Sequence, residues 1–381
     1  MSEVAADPLD LANAGAPTLD LLSLPRPRVL RTGVVLAVLL GLGIATAVLA
    51  TAGFGDILKA VRAIGLPGLA VLVLWTPGPL LLLGGAWFLL ADGEDAANRD
   101  ALGAARPRLG DFVWARLVRD ASGELLPFSH VGGFFIGARA AILRGVAPRA
   151  AFATSVGDVS AELLAQLVFT GVALGWLTVR LGAGAPSWLG GALLGLFVGA
   201  AALGGFMLLQ GRGGRLIDRL AGQLFPALAR RSPGLGAAVQ DLYARPWRLL
   251  GAAGLHLGAW VASALGCWAA LNLTGAHVAA ADILALEALV AAVRSALVVA
   301  PMGIGVQEAA YAFVGPLLGL GPDLALALSL IKRARDLVVG IPALAAWQGV
   351  EGARALRSRP AEATKLGSPG LAPASTEAPP L

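Results

Sequence analysis

Long stretches without a charged side chain dominate the chain. Residues 32–55, 66–91 and 181–211 contain no Asp, Glu, Lys or Arg, and residues 249–281 contain none either, although two histidines lie there. About 20 apolar residues are enough to cross the hydrocarbon core of a bilayer. These stretches run from 24 to 33 residues, which is long for the buried core helices of a soluble protein. The pattern therefore predicts helices that span a membrane.

The predicted fold is all-α, a polytopic transmembrane helical bundle. A cytoplasmic segment at 1–29 is expected to precede a transmembrane domain at 30–350. The tail at 351–381 is rich in Pro, Ala, Ser and Glu, which predicts a disordered cytoplasmic segment. The spans are expected at about 31–53, 66–90, 149–179, 187–210, 249–273 and 322–350.

Two further apolar segments, 127–146 and 282–320, are interrupted by Pro, Gly and charged residues. Each is predicted to form a helical hairpin that enters the membrane and returns. Irregular backbone is tolerated at membrane depth only where protein or a wet cavity surrounds it. The breaks are expected at Pro127, Gly132, Gly133, Pro301, Gly303 and Gly305.

The chain resembles itself at an offset of 174 residues. In both copies, at about 125–180 and 299–350, a broken segment is followed by Gly, then Pro, then a long helix with a carboxylate 14 residues after that Pro. The predicted topology sends the first long helix outward and the second inward. The copies are then inverted repeats, which in secondary transporters enclose the binding site. The matched pairs are Pro127 and Pro301, Gly145 and Gly319, Pro148 and Pro322, Glu162 and Asp336, and Gly175 and Gly349.

Composition supports a membrane protein, and the arginines indicate its orientation. Charged residues make up 14% of the chain, whereas soluble domains have about a quarter. Arginines cluster before the first predicted span, at 212–248 and after residue 350, which predicts that these segments and both termini are cytoplasmic. The same distribution argues against nucleic acid binding, despite the net charge of +5. The mixed-charge segment 92–126 is expected to be a cytoplasmic connector, either with helix lying at the membrane surface or as a solvated linker.

Both predicted long helices carry charges at membrane depth. Asp158 and Glu162 are four residues apart and share a helix face, and Lys332 and Asp336 have the same spacing. A charge at the centre of a membrane helix costs roughly 3 kcal/mol. We therefore expect the two helices to face each other, with Lys332 or Arg333 paired to Asp158 or Glu162. Such pairs either hold the bundle together or line a polar cavity for a lipid headgroup or a coupling proton.

Other polar residues lie in or beside the broken segments. Arg139, Arg144 and Arg294 either bind an anionic headgroup or extend to the membrane surface, and the second role is favoured for Arg144. Gln307 and Glu308 follow a Gly-rich break, where a helix start points them into a cavity or places the carboxylate as a cap on the helix dipole. The predicted cavity residues are Arg139, Asp158, Glu162, Arg294, Gln307, Glu308, Lys332, Arg333 and Asp336.

No catalytic residue, metal site or cofactor is predicted from the sequence. His130, His256 and His277 lack the spacing of metal ligands, and Cys267 is the only cysteine. No P-loop and no Gly-x-Ser-x-Gly motif is present. These observations argue against a pump driven by nucleotide hydrolysis.

Residues 301–352, which begin PMGIGVQEAAYAF, resemble the lysylphosphatidylglycerol synthase transmembrane, or flippase-like, superfamily. The motif is Pro-x-Gly-x-Gly-x-x-Glu, a Gly, and a helix with a basic and acidic patch. The stretches LLPFSHVGGFFIGAR (125–139) and ALSLIKRARDLVVGIPALAAWQ are most similar to HpnL-type proteins associated with hopanoid biosynthesis. The resemblance extends over about 30–350. One departure is that Phe134 follows the paired glycines where the family often has an acidic residue, which puts a role for a carboxylate there in doubt.

The resemblance implies a lipid transporter in the inner membrane of a bacterium, which moves hopanoids toward the outer membrane. Its partners would be membrane lipids, either hopanoids or anionic phospholipids, together with hopanoid biosynthesis proteins. In the best-known relatives the membrane domain is fused to a soluble synthase, for which this chain has no corresponding stretch. One alternative is a membrane enzyme that modifies a lipid, with Asp158 and Glu162 as acid and base. Another is a scaffold for biosynthetic enzymes.

Overall fold

The computed structural model describes residues 54–91, 108–126, 129–184, 186–213, 234–296 and 305–357, together with the isolated positions 219 and 223. All of these belong to one unit, Ala52–Leu381. The predicted span at 31–53, the tail beyond residue 357 and the predicted breaks at Pro127, Pro301 and Gly303 lie outside the described residues.

The described residues form helices, and no strand occurs among them. The fold is all-α, as predicted. The helices are α1 (Phe54–Trp75), α2 (Pro77–Ala91), α3 (Leu109–Leu125), α4 (Ser129–Leu143), α5 (Pro148–Leu181), α6 (Trp188–Arg212), α7 (Leu235–Tyr243), α8 (Pro246–Asn272), α9 (Ala280–Ala296), α10 (Val306–Leu317) and α11 (Pro322–Arg357).

Four segments of the described chain are long and apolar enough to cross a membrane. They are Ile64–Ala91, Pro148–Leu181, Trp188–Leu209 and Pro246–Asn272, which agree with the spans predicted at 66–90, 149–179, 187–210 and 249–273. The first segment joins the end of α1 to α2. Helix α1 bends at Gly65, where φ is +80°. The predicted span at 322–350 is one continuous helix, α11, but Lys332, Arg333, Arg335 and Asp336 interrupt its apolar character.

The same order of three helices occurs twice in the chain. Helices α3, α4 and α5 are followed, at the predicted offset, by α9, α10 and α11. Both long helices begin at the predicted prolines, Pro148 and Pro322. Before each of them, Gly145 and Gly319 adopt positive φ values of +97° and +83°, which favour glycine. The inversion of one copy relative to the other stays a prediction.

The interpretation of residues 109–125 as connector or surface helix was wrong, because α3 is enclosed by protein. Phe112, Ala115 and Val118 recur at helical spacing and are completely buried. Helix α3 packs on α2, α4 and α11. Its approach to α2 is so close that a Cβ on Gly84 would lie 2.6 Å from the Cα of Val113. The charged residues that suggested a solvated segment are instead paired with acids on other helices.

Candidate functional site

A cavity of about 370 Å³ is lined by residues from α1 to α5 and from α8 to α11. Its apolar part includes Leu72, Trp75 and Leu80 from α1 and α2, with Phe169 and Trp260 from the spanning helices α5 and α8. Its polar part comes mainly from α3, α9 and α11 and consists of two groups of charged residues. The cavity therefore presents an apolar surface and a charged surface to the same space.

The first charged group joins α3 to the spanning helix α5. Arg116 donates to Asp158 at 3.0 Å and to Glu162 at 2.8 Å. Arg119 donates to the same two carboxylates, at 2.6 and 2.8 Å. The arginines are three residues apart and the acids four, so each pair shares one helix face. Each guanidinium thus bridges both acids, an arrangement that suits its planar fork of N–H donors.

Two more residues complete this first group. Arg116 Nε lies 2.8 Å from a carboxylate oxygen of Asp120, one turn later in α3. His256 Nε2, from α8, lies 2.9 Å from Asp158 Oδ1. His256 and Asp158 are both fully buried, whereas the carboxylate of Glu162 faces the cavity. The first group therefore extends from the cavity surface into the protein interior.

The second charged group joins α9, α10 and α11. The Tyr311 hydroxyl donates to Glu287, and Lys332 donates to Glu287 and, at 2.7 Å, to Tyr311. Gln307 Nε2, from the start of α10, donates to the Ser329 hydroxyl at 3.1 Å. Glu287, Gln307 and Lys332 line the cavity, together with Asp336, which pairs with Arg335.

The two copies use the same positions with opposite charges. The offset of 174 residues places Lys332 on Asp158 and Asp336 on Glu162. In the first copy the long helix supplies the acid Asp158 and the helix before it supplies Arg116. In the second copy the long helix supplies Lys332 and the equivalent helix supplies Glu287. Each long helix is therefore neutralised within its own copy.

This arrangement corrects the predicted pairing of the long helices. Neither Lys332 nor Arg333 pairs with Asp158 or Glu162, since Lys332 binds Glu287 and Arg333 lies 2.7 Å from Glu308. The prediction considered only acids and bases on the two long helices. It omitted α3, whose arginines were assigned to a cytoplasmic connector.

The structure separates the predicted cavity residues into two sets. Glu162, Arg294, Gln307, Lys332 and Asp336 line the cavity, whereas Arg139, Asp158, Glu308 and Arg333 do not. Arg139 pairs at 2.7 Å with Glu351, near the end of α11. Arg144 is half exposed, in agreement with the predicted extension to the surface.

The predicted glycine breaks also differ in their surroundings. Gly133 lines the cavity from within α4, and Gly132 has open space beside its Cα. Gly305 precedes α10 with a φ of +76°, and its N–H donates to Glu308 at 2.8 Å. The Glu308 carboxylate thus caps α10, which is one of the two roles predicted for it.

Sequence reasoning missed several cavity residues. A detectable signal existed, because Arg116 and Arg119 follow the apolar positions of α3 at helical spacing, and Glu287 and Arg294 interrupt an otherwise apolar helix. The missed lining residues are Arg116, Arg119, Asp120, Glu124, Glu287 and Arg335.

No group of three or more His, Cys, Asp or Glu side chains within the described part of the chain is arranged to hold a metal ion. The chemistry of the cavity is therefore that of hydrogen bonding and ion pairing, next to an apolar surface. Such a site can hold a molecule with a polar end and an apolar end.

Comparison with known proteins gives one match. Residues 34–343 match the family model for the lysylphosphatidylglycerol synthase TM region. No curated protein and no solved structure matches the chain. The matched segment contains both copies of the repeat and the charged groups that line the cavity.

Proposed function

Because the chain belongs to the lysylphosphatidylglycerol synthase TM region family, we propose that it is a lipid transporter that binds the polar headgroup of a membrane lipid in the central cavity. The lipid's apolar part would lie against the aromatic and aliphatic side chains that line the same space. The two-sided lining of this cavity is the observation that carries the proposal.

The size of the cavity supports binding of a headgroup. Its volume, about 370 Å³, falls at the lower end of the roughly 300–1,000 Å³ typical of small-molecule sites. Trp75, Phe169 and Trp260 supply apolar area, and Glu162, Arg119 and Lys332 supply acceptors and donors. A lipid enters such a site with its headgroup toward the charges and its chain toward the apolar surface.

The cost of burying charge also favours a functional role. Ionisable residues within membrane proteins usually face a cavity or the bundle interior and mark a substrate or ion pathway. Ion pairs that only hold helices together need no adjoining space, whereas residues of both charged groups line the cavity. Paired charges of both signs can exchange partners with a headgroup, which keeps every charge compensated during binding.

Within this class we propose hopanoids, carried from the inner toward the outer membrane of a bacterium, as the lipids to test first. The support is the resemblance of residues 125–139 and of the segment around Lys332 to the HpnL-type proteins. Hopanoids have a rigid apolar body with a polar end, which corresponds to the two-sided lining. Anionic phospholipids are the second class to test, since Arg and Lys donors bind phosphate.

The test combines purified protein with membranes from cells. Proteoliposomes that contain a labelled phospholipid or hopanoid in one leaflet are used to measure its appearance in the other leaflet. Glu162→Gln and Asp336→Asn are expected to abolish this movement while the protein still inserts, and a Glu351→Gln variant, changed outside the cavity, is expected to retain it. Full movement by both cavity variants would refute the proposal.

In cells, the inner and outer membranes are separated and their hopanoids quantified with and without the protein. Unchanged total hopanoid with loss from the outer membrane supports transport. A missing or chemically altered lipid species would instead identify the protein as an enzyme that modifies lipids. Normal lipid distribution in cells with the two cavity variants would favour the scaffold.

A further inference from the structure

His256 is a buried titratable residue that the proposed binding of a headgroup does not use. It lies in the spanning helix α8, is completely buried and does not line the cavity. Nε2 of its ring lies 2.9 Å from Asp158 Oδ1, and no protein group bonds Nδ1. A neutral imidazole that donates from Nε2 leaves Nδ1 as an acceptor. Nδ1 is therefore a buried nitrogen that can accept a proton.

The charges around His256 favour the uptake of one proton. The first charged group contains two cations, Arg116 and Arg119, and three carboxylates, Asp120, Asp158 and Glu162. With a neutral His256 this group carries a net charge of −1, and protonation brings it to zero. Net charge is costly to bury in a low-dielectric interior. The imidazolium would also lie in direct contact with the Asp158 carboxylate.

The other helices that pack against α8 bring no competing charge to His256. Helix α2 and residues 64–75 of α1 contain no titratable side chain. Helix α9 supplies Glu287, which is engaged by Lys332 and Tyr311. Helix α7 supplies Tyr243, which is bonded to Ser160, and Asp241, which is exposed. Within α8, Arg248 donates to the carbonyl of Leu89 at 3.4 Å.

The buried pair connects with the cavity through shared arginines. Arg116 and Arg119 each bind Asp158 on the interior side and Glu162 on the cavity side. A proton on His256 strengthens the hold of the imidazolium on Asp158 and so loosens the claim of Asp158 on the two guanidiniums. These can then bind Glu162 or a headgroup more strongly. Two sites that compete for the same donors are energetically coupled, and the coupling is reciprocal.

We propose that His256 and Asp158 form a proton-binding site, and that its occupation controls headgroup binding at Glu162, Arg116 and Arg119. The first half of this inference stands on the geometry of the buried pair alone. The second half rests on the proposed lipid transport.

Nitrogen NMR of the histidine rings tests the proton site without any lipid assay. The chain contains three histidines, so a His130→Gln, His277→Gln variant leaves His256 as the single histidine signal. In nanodiscs, the ring is expected to carry its proton on Nε2 at alkaline pH and to gain a second one as the pH falls from about 8 to 5. Asp158→Asn in the same background is expected to shift this uptake to lower pH. A ring that keeps one proton over the whole range would overturn the proposal.

Transport measured under a pH gradient tests the coupling. Wild-type protein in proteoliposomes is expected to move lipid faster with a gradient than without one. His256→Gln can still donate to Asp158 but cannot take up a proton, and is expected to lose the dependence on the gradient while it still moves lipid. Equal wild-type rates with and without a gradient would overturn the coupling and leave lipid transport intact. Absence of any lipid movement by wild type would instead overturn the proposed function, and the NMR titration would still decide the proton site.

Discussion

Arg294 Nη2 lies 2.8 Å from both carboxylate oxygens of Glu124. Arg294 stands on α9 and Glu124 on α3, the equivalent helices of the two copies. Both residues line the cavity. The pair therefore joins the two copies of the repeat at the cavity surface, and a change in their relative position would alter this contact.

Removing this link is expected to weaken the association of α3 with α9. Arg294→Gln and Glu124→Gln should each lower the thermal stability of the purified protein in detergent. Because each residue loses the same partner, the double variant should be less destabilised than the sum, with a coupling energy of about 2 kcal/mol. A double-mutant cycle measured by thermal or denaturant unfolding gives this value, and strict additivity would show that the pair contributes nothing.

Arg116 is expected to be the most important charged residue for stability, since it contacts Asp120, Asp158 and Glu162 and its side chain is only 5% exposed. Arg116→Met leaves these carboxylates without their main partner and should cost about 3–5 kcal/mol. Arg116→Lys keeps the charge but loses the planar fork, so a smaller loss is expected.

A second change provides the control for Arg116. Adding Asp158→Asn to Arg116→Met removes one of the unpaired carboxylates and should recover part of the stability, measured by thermal unfolding in the same detergent. No recovery would mean that the arginine acts through packing and not through charge.

Gly137 on α4 allows the arginines to be displaced without changing any charge. A Cβ at this position would lie 2.7 Å from the Cβ of Arg119. Gly137→Ala is therefore expected to push α4 and α3 apart, to cost about 1–3 kcal/mol and to slow lipid movement in proteoliposomes.

The matched control is Gly132→Ala on the same helix, where no atom lies within 4 Å of the added Cβ. This variant should retain wild-type stability and transport. Equal effects of the two substitutions would point to the helix propensity of alanine and not to the contact with Arg119.

Arg139 and Arg119 separate the sequence-based cavity from the one in the structure. Arg139→Gln breaks a partly exposed pair with Glu351 and should cost no more than about 1 kcal/mol, with transport near the wild-type rate. Arg119→Gln removes a bridge between Asp158 and Glu162 beside the cavity and should abolish transport. Loss of transport in Arg139→Gln, with normal insertion, would restore the role that the sequence suggested for it.

The elements of the fold were largely predictable from the sequence. The spans near 66–90, 149–179, 187–210 and 249–273 agree with the structure, because about 20 apolar residues in a row satisfy a bilayer only as a helix. The starts of α5 and α11 at Pro148 and Pro322 were also visible, because proline is accommodated in the first turn of a helix and the glycines before it can take positive φ.

The partners of the buried charges were not predictable in the same way. Periodicity places Asp158 and Glu162 on one face, and Lys332 with Asp336, but it contains no information on which helix that face meets. The mixed charges of α3 resemble those of a solvated connector, and only contact with α5 shows that Arg116 and Arg119 are buried counterions.

The sequence by itself determined that this chain forms membrane-spanning helices, where they lie, and that charges are buried within them, since these properties follow from local composition and spacing. Only the tertiary structure decided that the acids of α5 pair with α3, that Lys332 pairs with Glu287, and that His256 contacts Asp158. The reason is physical: a helix follows from interactions within a few residues, whereas an ion pair joins side chains that packing brings together from 39 to 98 positions apart.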